Sequence, residues 1–206
     1  MKYEMKKSEI INAAFKCIYE QGIIGISIRA IAKEANVNQA TLHYYFGSKE
    51  NLLIEVMEDL FNRFIYDIKK LYKASDPPVK KLEAFFTSGK TFIEKQKEMF
   101  VVLIDFWTLS IRTPEMQDMF SKLYGKLYGL CESILAEGIE QGIFNNIRKD
   151  TMAHFVVAYV EGLGLQWHML KKGFDLDIHF EIFKKSLMEV ILANPKKDAA
   201  NEQTVE

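Results

Sequence analysis

Polar side chains that match the edges of DNA bases lie close together between Arg29 and Thr41. Gln39 offers an amide, Thr41 a hydroxyl and a methyl group, and Arg29 a guanidinium. Glutamine pairs well with adenine and arginine with guanine, while a threonine or alanine methyl group fits the methyl group of thymine. With Gln39, Ala40 and Thr41 on one short helix and Arg29 reaching in from the preceding helix, residues of these types predict base reading in the major groove of a duplex.

A second group of side chains surrounds the first and can bind phosphates, which fixes the position of a protein on DNA. Ser27 and Tyr44 offer hydroxyls, His43 an imidazole and Lys49 an ammonium group. The predicted DNA-contacting residues are Ser27, Arg29, Asn38, Gln39, Ala40, Thr41, His43, Tyr44 and Lys49. The alternative is an ordinary pair of helices whose polar face is solvated.

Two short helices joined by a tight turn must hold these residues. Ser27 suits the N-cap of the first helix and Asn38 that of the second. Asn36 falls where the turn needs a left-handed residue, which asparagine tolerates better than most residues do. Two helices around such a turn form a helix-turn-helix, whose second helix can enter the major groove.

The segment from Ser8 to Leu53 resembles the DNA-binding domain of the TetR (tetracycline repressor-like) family of bacterial and archaeal regulators. Its most specific part is the aromatic pair Tyr45-Phe46 followed by Ser48-Lys49-Glu50 and Leu52. The family commonly has glycine in place of Asn36 and tyrosine in place of His43, whose imidazole is shorter than a phenol. The resemblance implies a DNA-binding regulator.

The charge of the 206-residue chain is weak for a protein that binds DNA, with a net value of −1 at pH 7. The first 73 residues hold 11 basic and 9 acidic side chains, so the local excess is small. Specific binding then needs phosphate contacts on one face and two copies of the domain. Apolar residues make up 49% of the chain, which indicates a real folded core.

The other reactive residues form no catalytic or metal-binding pattern. Cys17 and Cys131 lie far apart, which fits two buried thiols in a reducing cytosol. His154, Glu161 and His168 share a helix face, but seven-residue steps of about 10 Å are too long for one ion. Without a nucleophile–base pair or phosphate loop, the sequence predicts no enzyme, metal or cofactor. The chain has no signal peptide or ~20-residue apolar run, which predicts a cytoplasmic protein.

Helical periodicity runs through the whole chain, which predicts an all-α fold of about nine helices. The first helix is predicted from about Lys6, and Asp177 is the predicted N-cap of the last. The predicted domains are a three-helix domain with the helix-turn-helix at 1–48, a connecting helix at 49–74, a larger helical ligand-binding and dimerisation domain at 75–194, and a polar, disordered tail at 195–206.

Large aromatic residues and methionines are concentrated in the middle of the chain. Such a set forms either plain core or an adaptable apolar pocket between helices. The resemblance implies that this region holds a small-molecule effector. The predicted pocket residues are Phe92, Phe100, Leu103, Phe106, Trp107, Met116, Tyr124 and Tyr128. Asp105 either fixes a charged group of the ligand or points to solvent.

The segment at 153–170 is apolar over more than one face, which is too much for a surface helix of a monomer. The resemblance implies a two-fold, four-helix interface built from this helix and the last one. The predicted interface residues are Val160, Gly164, Trp167, Phe183, Leu187 and Val190. The alternative is a core helix buried within one chain.

Together these features predict a ligand-responsive transcriptional regulator. It is predicted to be a repressor that binds a near-palindromic double-stranded operator as a homodimer and is released by a small apolar or amphipathic effector. The alternative is a helical small-molecule-binding protein whose DNA binding is secondary or lost. A gel shift with DNA from upstream of the gene separates these two interpretations.

Overall fold

The computed structural model describes residues 2–170 and 173–192, and this part of the chain is built from α-helices. It contains nine helices and no β-strand, which confirms the predicted all-α class. The helices are α1 (Lys2–Gln21), α2 (Ile28–Glu34), α3 (Gln39–Phe46), α4 (Lys49–Lys70), α5 (Pro78–Lys95), α6 (Lys97–Ser110), α7 (Pro114–Glu140), α8 (Lys149–Leu170) and α9 (Leu176–Ile191). None of them is long and apolar enough to cross a membrane. The predicted tail at 195–206 lies outside the described residues.

Side-chain caps begin the two helices of the helix-turn-helix where the sequence predicts them. The Ser27 hydroxyl accepts a hydrogen bond from the Ala30 amide at 3.1 Å. The Asn38 side chain accepts one from the Thr41 amide at 2.7 Å. Each cap satisfies an amide that has no partner within its helix, which typically stabilises the helix by about 1 kcal/mol.

The N-cap of α9 differs from the prediction. Asp175, not Asp177, accepts the Ile178 amide, at 3.1 Å. Asp177 lies inside the first turn instead, where a carboxylate is still favourable because it faces the positive end of the helix dipole.

The described chain divides into two compact units. The first comprises Met1–Asp67 and Phe92–Gly125, and the second comprises Ile68–Thr91 and Lys126–Glu206. Three helices, α4, α5 and α7, therefore contribute residues to both units. The predicted domain boundaries after residues 48 and 74 stay predictions, because this division reports compactness and not independent folding.

The first unit supports the buried face of the recognition helix α3. α1 packs against α2 and α6, and α2 packs against α3. Ile10, Ile18, Ile31 and Leu42 from these first three helices are at most 2% exposed. Burying one such side chain contributes roughly 1.5–3 kcal/mol, so this small core fixes α3 in place.

The second unit packs α8 against α9 around stacked rings. The Tyr159 and Phe183 rings are nearly parallel with centroids 3.9 Å apart, and the Phe86 and Phe183 rings meet edge to face with centroids 5.5 Å apart. Lys81 is only 6% exposed, and its ammonium group donates to both carboxylate oxygens of Glu137 at 2.7 and 2.8 Å. The carboxylate therefore compensates the burial of the lysine charge.

Two glycines of the second unit allow close packing. A Cβ atom at Gly89 would lie 2.8 Å from a methyl group of Val160. A Cβ atom at Gly138 would lie 2.0 Å from the ring of Phe144. Because real Cβ atoms do not approach this closely, the ring of Phe144 occupies the space that any side chain at Gly138 would need.

Candidate DNA-binding surface and effector region

The recognition helix α3 presents the predicted base-contacting residues outward. Gln39 and Ala40 are exposed and Thr41 is half-buried. Leu42 and Phe46, on the opposite face, are 2% and 6% exposed. With 3.6 residues per turn, these two anchors direct positions 39, 40, 43 and 44 away from the core, as base reading requires.

The start of α3 is a linked pair of polar side chains. Besides its backbone bond to Asn38, Thr41 donates its hydroxyl hydrogen to the Asn38 side-chain oxygen at 2.9 Å. The hydroxyl of Thr41 is therefore engaged in the cap. A contact of Thr41 with a base then falls to its methyl group, which suits thymine.

The predicted phosphate-binding residues lie at both ends of the helix-turn-helix. Ser27 is exposed at the start of α2, and His43 and Tyr44 are exposed near the end of α3. Arg29, which is predicted to contact a base, is exposed in the first turn of α2. Between α3 and the start of α4 is a hollow of about 110 Å³, whose lining includes His43, Ser48 and Lys49. Cationic and hydroxyl groups around a small hollow at a helix start suit a phosphate oxygen.

Lys49 has a structural partner that the sequence does not reveal. Its ammonium group donates to the backbone carbonyl of Ile26 at 2.7 Å, just before the N-cap of α2. An ammonium group has three N–H donors. Lys49 can therefore keep this bond and donate another to a phosphate.

Asn36 adopts the left-handed backbone that the sequence predicts, with φ of 51°. The turn closes through the Val37 amide, which donates to the Ala32 carbonyl at 2.9 Å. Asparagine is one of the few residues other than glycine that take this conformation at low cost. Asparagine at position 36, where the family commonly has glycine, is therefore compatible with the turn.

Tyr3 is a residue of this surface that the sequence prediction misses. α1 begins at Lys2 rather than near Lys6, and its first turn brings Tyr3 against Tyr44 and Tyr45 of α3. The only sequence signal is the strong helix propensity of the Glu, Met and Lys residues that follow Tyr3.

Most of the predicted effector residues form an aromatic cluster in the first unit. Phe92 lies beside Phe64 and Phe100, with ring centroids 5.1 and 5.8 Å away. Trp107 donates its indole N–H to the Tyr124 hydroxyl at 2.9 Å, and both rings are half-buried. The other predicted effector residues that lie in the first unit are Leu103, Phe106 and Met116, and each is at most 5% exposed. Tyr128 belongs to the second unit, where its ring meets His154.

A polar pair lies beside this cluster and is also absent from the sequence prediction. The Gln96 amide nitrogen donates to the Asp67 carboxylate at 3.3 Å. The Gln96 side-chain oxygen is buried without a hydrogen-bond partner in the described part of the chain. A buried acceptor left unpaired is unfavourable. Spacing alone could not bring together residues 29 positions apart.

Asp105 has a protein partner that the sequence does not reveal, and it also lines a hollow of about 170 Å³, so its role toward a ligand stays a prediction. Its carboxylate accepts a hydrogen bond from the Ile23 amide at 3.0 Å, in the loop between α1 and α2. The two residues are 82 positions apart. This bond ties α6, which carries Phe100 and Trp107, to the loop that precedes the helix-turn-helix.

Four predicted interface residues are covered by the chain itself, which corrects the predicted surface. Val160, Phe183 and Leu187 are at most 8% exposed, and Gly164 is also buried. Trp167 is half-buried, and only Val190 is well exposed, at 57%. The large apolar side chains that α8 and α9 do expose are Phe155, Leu165, Met169, Leu170, Ile178, Ile182 and Val190.

Within the described residues, no group of three or more His, Cys, Asp or Glu side chains is placed to hold a metal ion. Both cysteines are buried free thiols. Burial raises the pKa of Cys131 to about 12, and burial also raises the pKa of Cys17. Neither thiol is therefore activated as a nucleophile or ligand.

Comparison with known families gives two matches, one in the N-terminal part of the chain and one in the remainder. The family "Bacterial regulatory proteins, tetR family" matches residues 10–56. The family "BetI-type transcriptional repressor, C-terminal" matches residues 78–191. The first match contains the exposed recognition helix and Lys49, and the second contains the cluster around Phe92.

Curated relatives and solved structures agree with these matches. "HTH-type transcriptional regulator BetI" of Rhizobium meliloti (strain 1021) is 27% identical over 67% of this chain and 72% of its own length. A TetR transcription regulator from Haloarcula marismortui superposes with a TM-score of 0.80 at 18% identity, covering 92% of this chain and all of that one. A transcriptional regulator from Saccharomonospora viridis, solved in complex with choline, gives a TM-score of 0.79 at 21% identity, covering 93% of this chain and all of that one.

The curated relative is named as a transcriptional regulator. The BetI-type match alone spans more than half of the chain, and the tetR match covers the helix-turn-helix. The chain therefore belongs to the TetR family of DNA-binding transcriptional regulators, with a C-terminal region of the BetI type.

Proposed function

We propose that this protein is a cytoplasmic repressor that binds a near-palindromic operator as a homodimer and leaves it when a small amphipathic molecule binds. The observation that carries the proposal is the exposed polar face of α3, supported from behind by Leu42 and Phe46. An exposed recognition helix favours this function over the alternative in which DNA binding is lost.

Dimerisation is supported by the apolar surface of α8 and α9. Phe155, Ile182 and Val190 are each more than half exposed, and this much exposed apolar surface on two helices favours an interaction site. The weak basic charge of the DNA-binding region gives a second reason, because the two DNA-binding regions of a dimer, its heads, double the number of phosphate contacts. On a two-fold operator the heads would lie about 34 Å apart, one turn of the duplex.

The dimer is tested by light scattering at micromolar concentration with two matched variants. Ile182→Glu places a charge on the proposed interface, and Ile111→Glu places one at an exposed isoleucine of the first unit. We expect twice the chain mass of 23.9 kDa for the native protein and for Ile111→Glu, and a monomer for Ile182→Glu. A native protein that stays monomeric contradicts the dimer.

The effector is proposed to bind at the aromatic cluster of the first unit. Phe64, Phe92 and Phe100 offer ring faces and edges, and the Asp67 carboxylate with the buried Gln96 oxygen offers a polar end. Aromatic faces beside a carboxylate suit a small organic cation. The choline found in the structure from Saccharomonospora viridis supports this class, so choline is the first compound to test.

Release is proposed to follow from a population shift. A ligand that prefers the conformation in which the heads no longer match the operator lowers DNA affinity by the ratio of its affinities for the two conformations. The Asp105–Ile23 bond offers a physical link from α6 to the helix-turn-helix. This route stays within the first unit.

Trp107 provides a direct test of the effector site. The chain has two tryptophans, so Trp167→Phe leaves Trp107 as the only one. We expect saturable changes in its fluorescence with choline or an alkyltrimethylammonium salt, and release of bound operator over the same concentration range. Operator affinity that none of these compounds changes contradicts the proposed effector class.

A further inference from the structure

The first turn of α1 forms an aromatic cluster with the end of the recognition helix. The Tyr3 ring lies 4.6 Å from Tyr45 and 6.3 Å from Tyr44, measured between centroids. Tyr44 and Tyr45 themselves meet edge to face at 5.3 Å. Tyr44 is nevertheless 75% exposed, so the cluster steadies its ring without covering it.

Beside this cluster lies an open concave surface that encloses a volume of about 1230 Å³. Met5 and Lys6 of α1 line one side, and Lys33 and Val37, at the end of α2 and in the turn, line another. The remaining wall belongs to the recognition helix and its cap, with Asn38, Thr41 and Tyr45. The concavity is therefore continuous with the face of α3 that reads bases in the proposed function.

The charges on this surface suit a polyanion. Lys33 is exposed, and Lys6 is half-buried and forms an ion pair with Glu9 at 2.7 Å. This pair is solvent-accessible, with side chains 38% and 56% exposed, and such pairs contribute little to stability. Lys6 can therefore exchange the carboxylate for a phosphate, leaving two lysines against the one acidic side chain of the lining.

The geometry of a duplex supplies the occupant. A helix seated in the major groove, which is about 12 Å wide, has one sugar-phosphate strand along each of its sides. His43 and Lys49 are placed for one strand, at the hollow between α3 and α4. The concave surface lies on the side of α3 that carries Asn38, Thr41 and Tyr45, so it faces the other strand.

We propose that this concave surface is a second backbone-contacting site, which takes the sugar-phosphate strand on the α1 side of the groove. Lys6 and Lys33 bind its phosphates, and Tyr3 is a positioning residue that holds Tyr44 and Tyr45 at its edge. The proposal rests on the proposed function, because it requires α3 to lie in the major groove.

The salt dependence of binding tests the two lysines. Fluorescence anisotropy is measured against NaCl concentration with a duplex that the native protein selects from a random pool. Each phosphate contact contributes about 0.9 to the slope of log affinity against log salt, so Lys6→Ala and Lys33→Ala should each lower the slope by about 1.8 per dimer. Lys122→Ala, at an exposed lysine of α7, is the control and should leave the slope unchanged.

The positioning role of Tyr3 has a different signature. Tyr3→Ala should weaken binding several-fold without changing the salt slope, because no charge is lost, and Tyr3→Phe should restore the affinity. Circular dichroism and thermal unfolding confirm that each variant is folded. Native slopes in both lysine variants, with native affinity in Tyr3→Ala, overturn this proposal alone. A native protein that selects no duplex overturns the proposed function as well.

Discussion

Lys49 is expected to contribute to both folding and DNA binding, and Lys49→Ala separates the two effects. In the free protein the ammonium group donates to the Ile26 carbonyl at 2.7 Å. A hydrogen bond from a charged group contributes about 1.5–3 kcal/mol when well buried. Because Lys49 is only half-buried, we expect a loss of about 1 kcal/mol in the free energy of unfolding.

The effect on binding follows from counterion release. One phosphate contact in each of two heads contributes about 1.8 to the salt slope. Between about 50 and 200 mM salt, a fourfold range, this slope corresponds to a factor of about ten in affinity. Native protein should therefore lose about tenfold more affinity than Lys49→Ala does across this range, on every duplex tested.

The assay is fluorescence anisotropy at several salt concentrations, with urea unfolding of the same samples. Lys49→Arg keeps the charge and should keep the native slope, and Lys122→Ala should be native in both measurements. If Lys49→Ala loses stability but keeps the native slope, the lysine only holds the start of α2. The assignment of Lys49 as a phosphate ligand is then refuted.

Three further predictions concern specificity, packing and thiol chemistry. Gln39→Ala should reduce discrimination at one base pair of each half-site by about 1–3 kcal/mol, measured with single-base variants of the selected duplex, and equal losses on all duplexes contradict base reading. Gly138→Ala should lower the free energy of unfolding by about 2 kcal/mol, measured by urea titration, because the new Cβ atom has no space. Gly129→Ala is the control, at an open position of the same helix, and should raise the free energy of unfolding by up to about 1 kcal/mol. A Gly138→Ala protein as stable as the native one refutes that packing. Cys131 and Cys17 should resist a disulfide reagent at pH 8 in the native protein and react after unfolding, because burial raises both pKa values and blocks access; rapid labelling without denaturant contradicts this.

The sequence predicts those features that depend on neighbouring residues. The caps at Ser27 and Asn38 and the left-handed Asn36 are confirmed, because each depends on bonds within a few positions of the chain. The sequence pattern predicts Asp177 as the cap of α9, whereas Asp175 is the cap, because two aspartates lie near the same helix start. Local pattern cannot decide which carboxylate reaches the free amide.

The sequence cannot say what covers an apolar face or which distant residues meet. Phe183 and Leu187 fall on the apolar stripe of α9, but their side chains pack within the chain. Ile182, by contrast, is an apolar residue of α9 whose side chain is exposed to solvent. The Asp105–Ile23 bond joins positions that no periodicity relates. The sequence does not predict the position of Tyr3, because the start of α1 carries no capping signal.

The most direct test of the whole account is selection of bound duplexes from a random pool, followed by sequencing. Two heads that each place α3 in the major groove should recover a near-palindromic motif, with half-sites centred about one helical turn, or a whole number of turns, apart. Recovery of no common motif, or of a single half-site without a two-fold partner, would contradict the account.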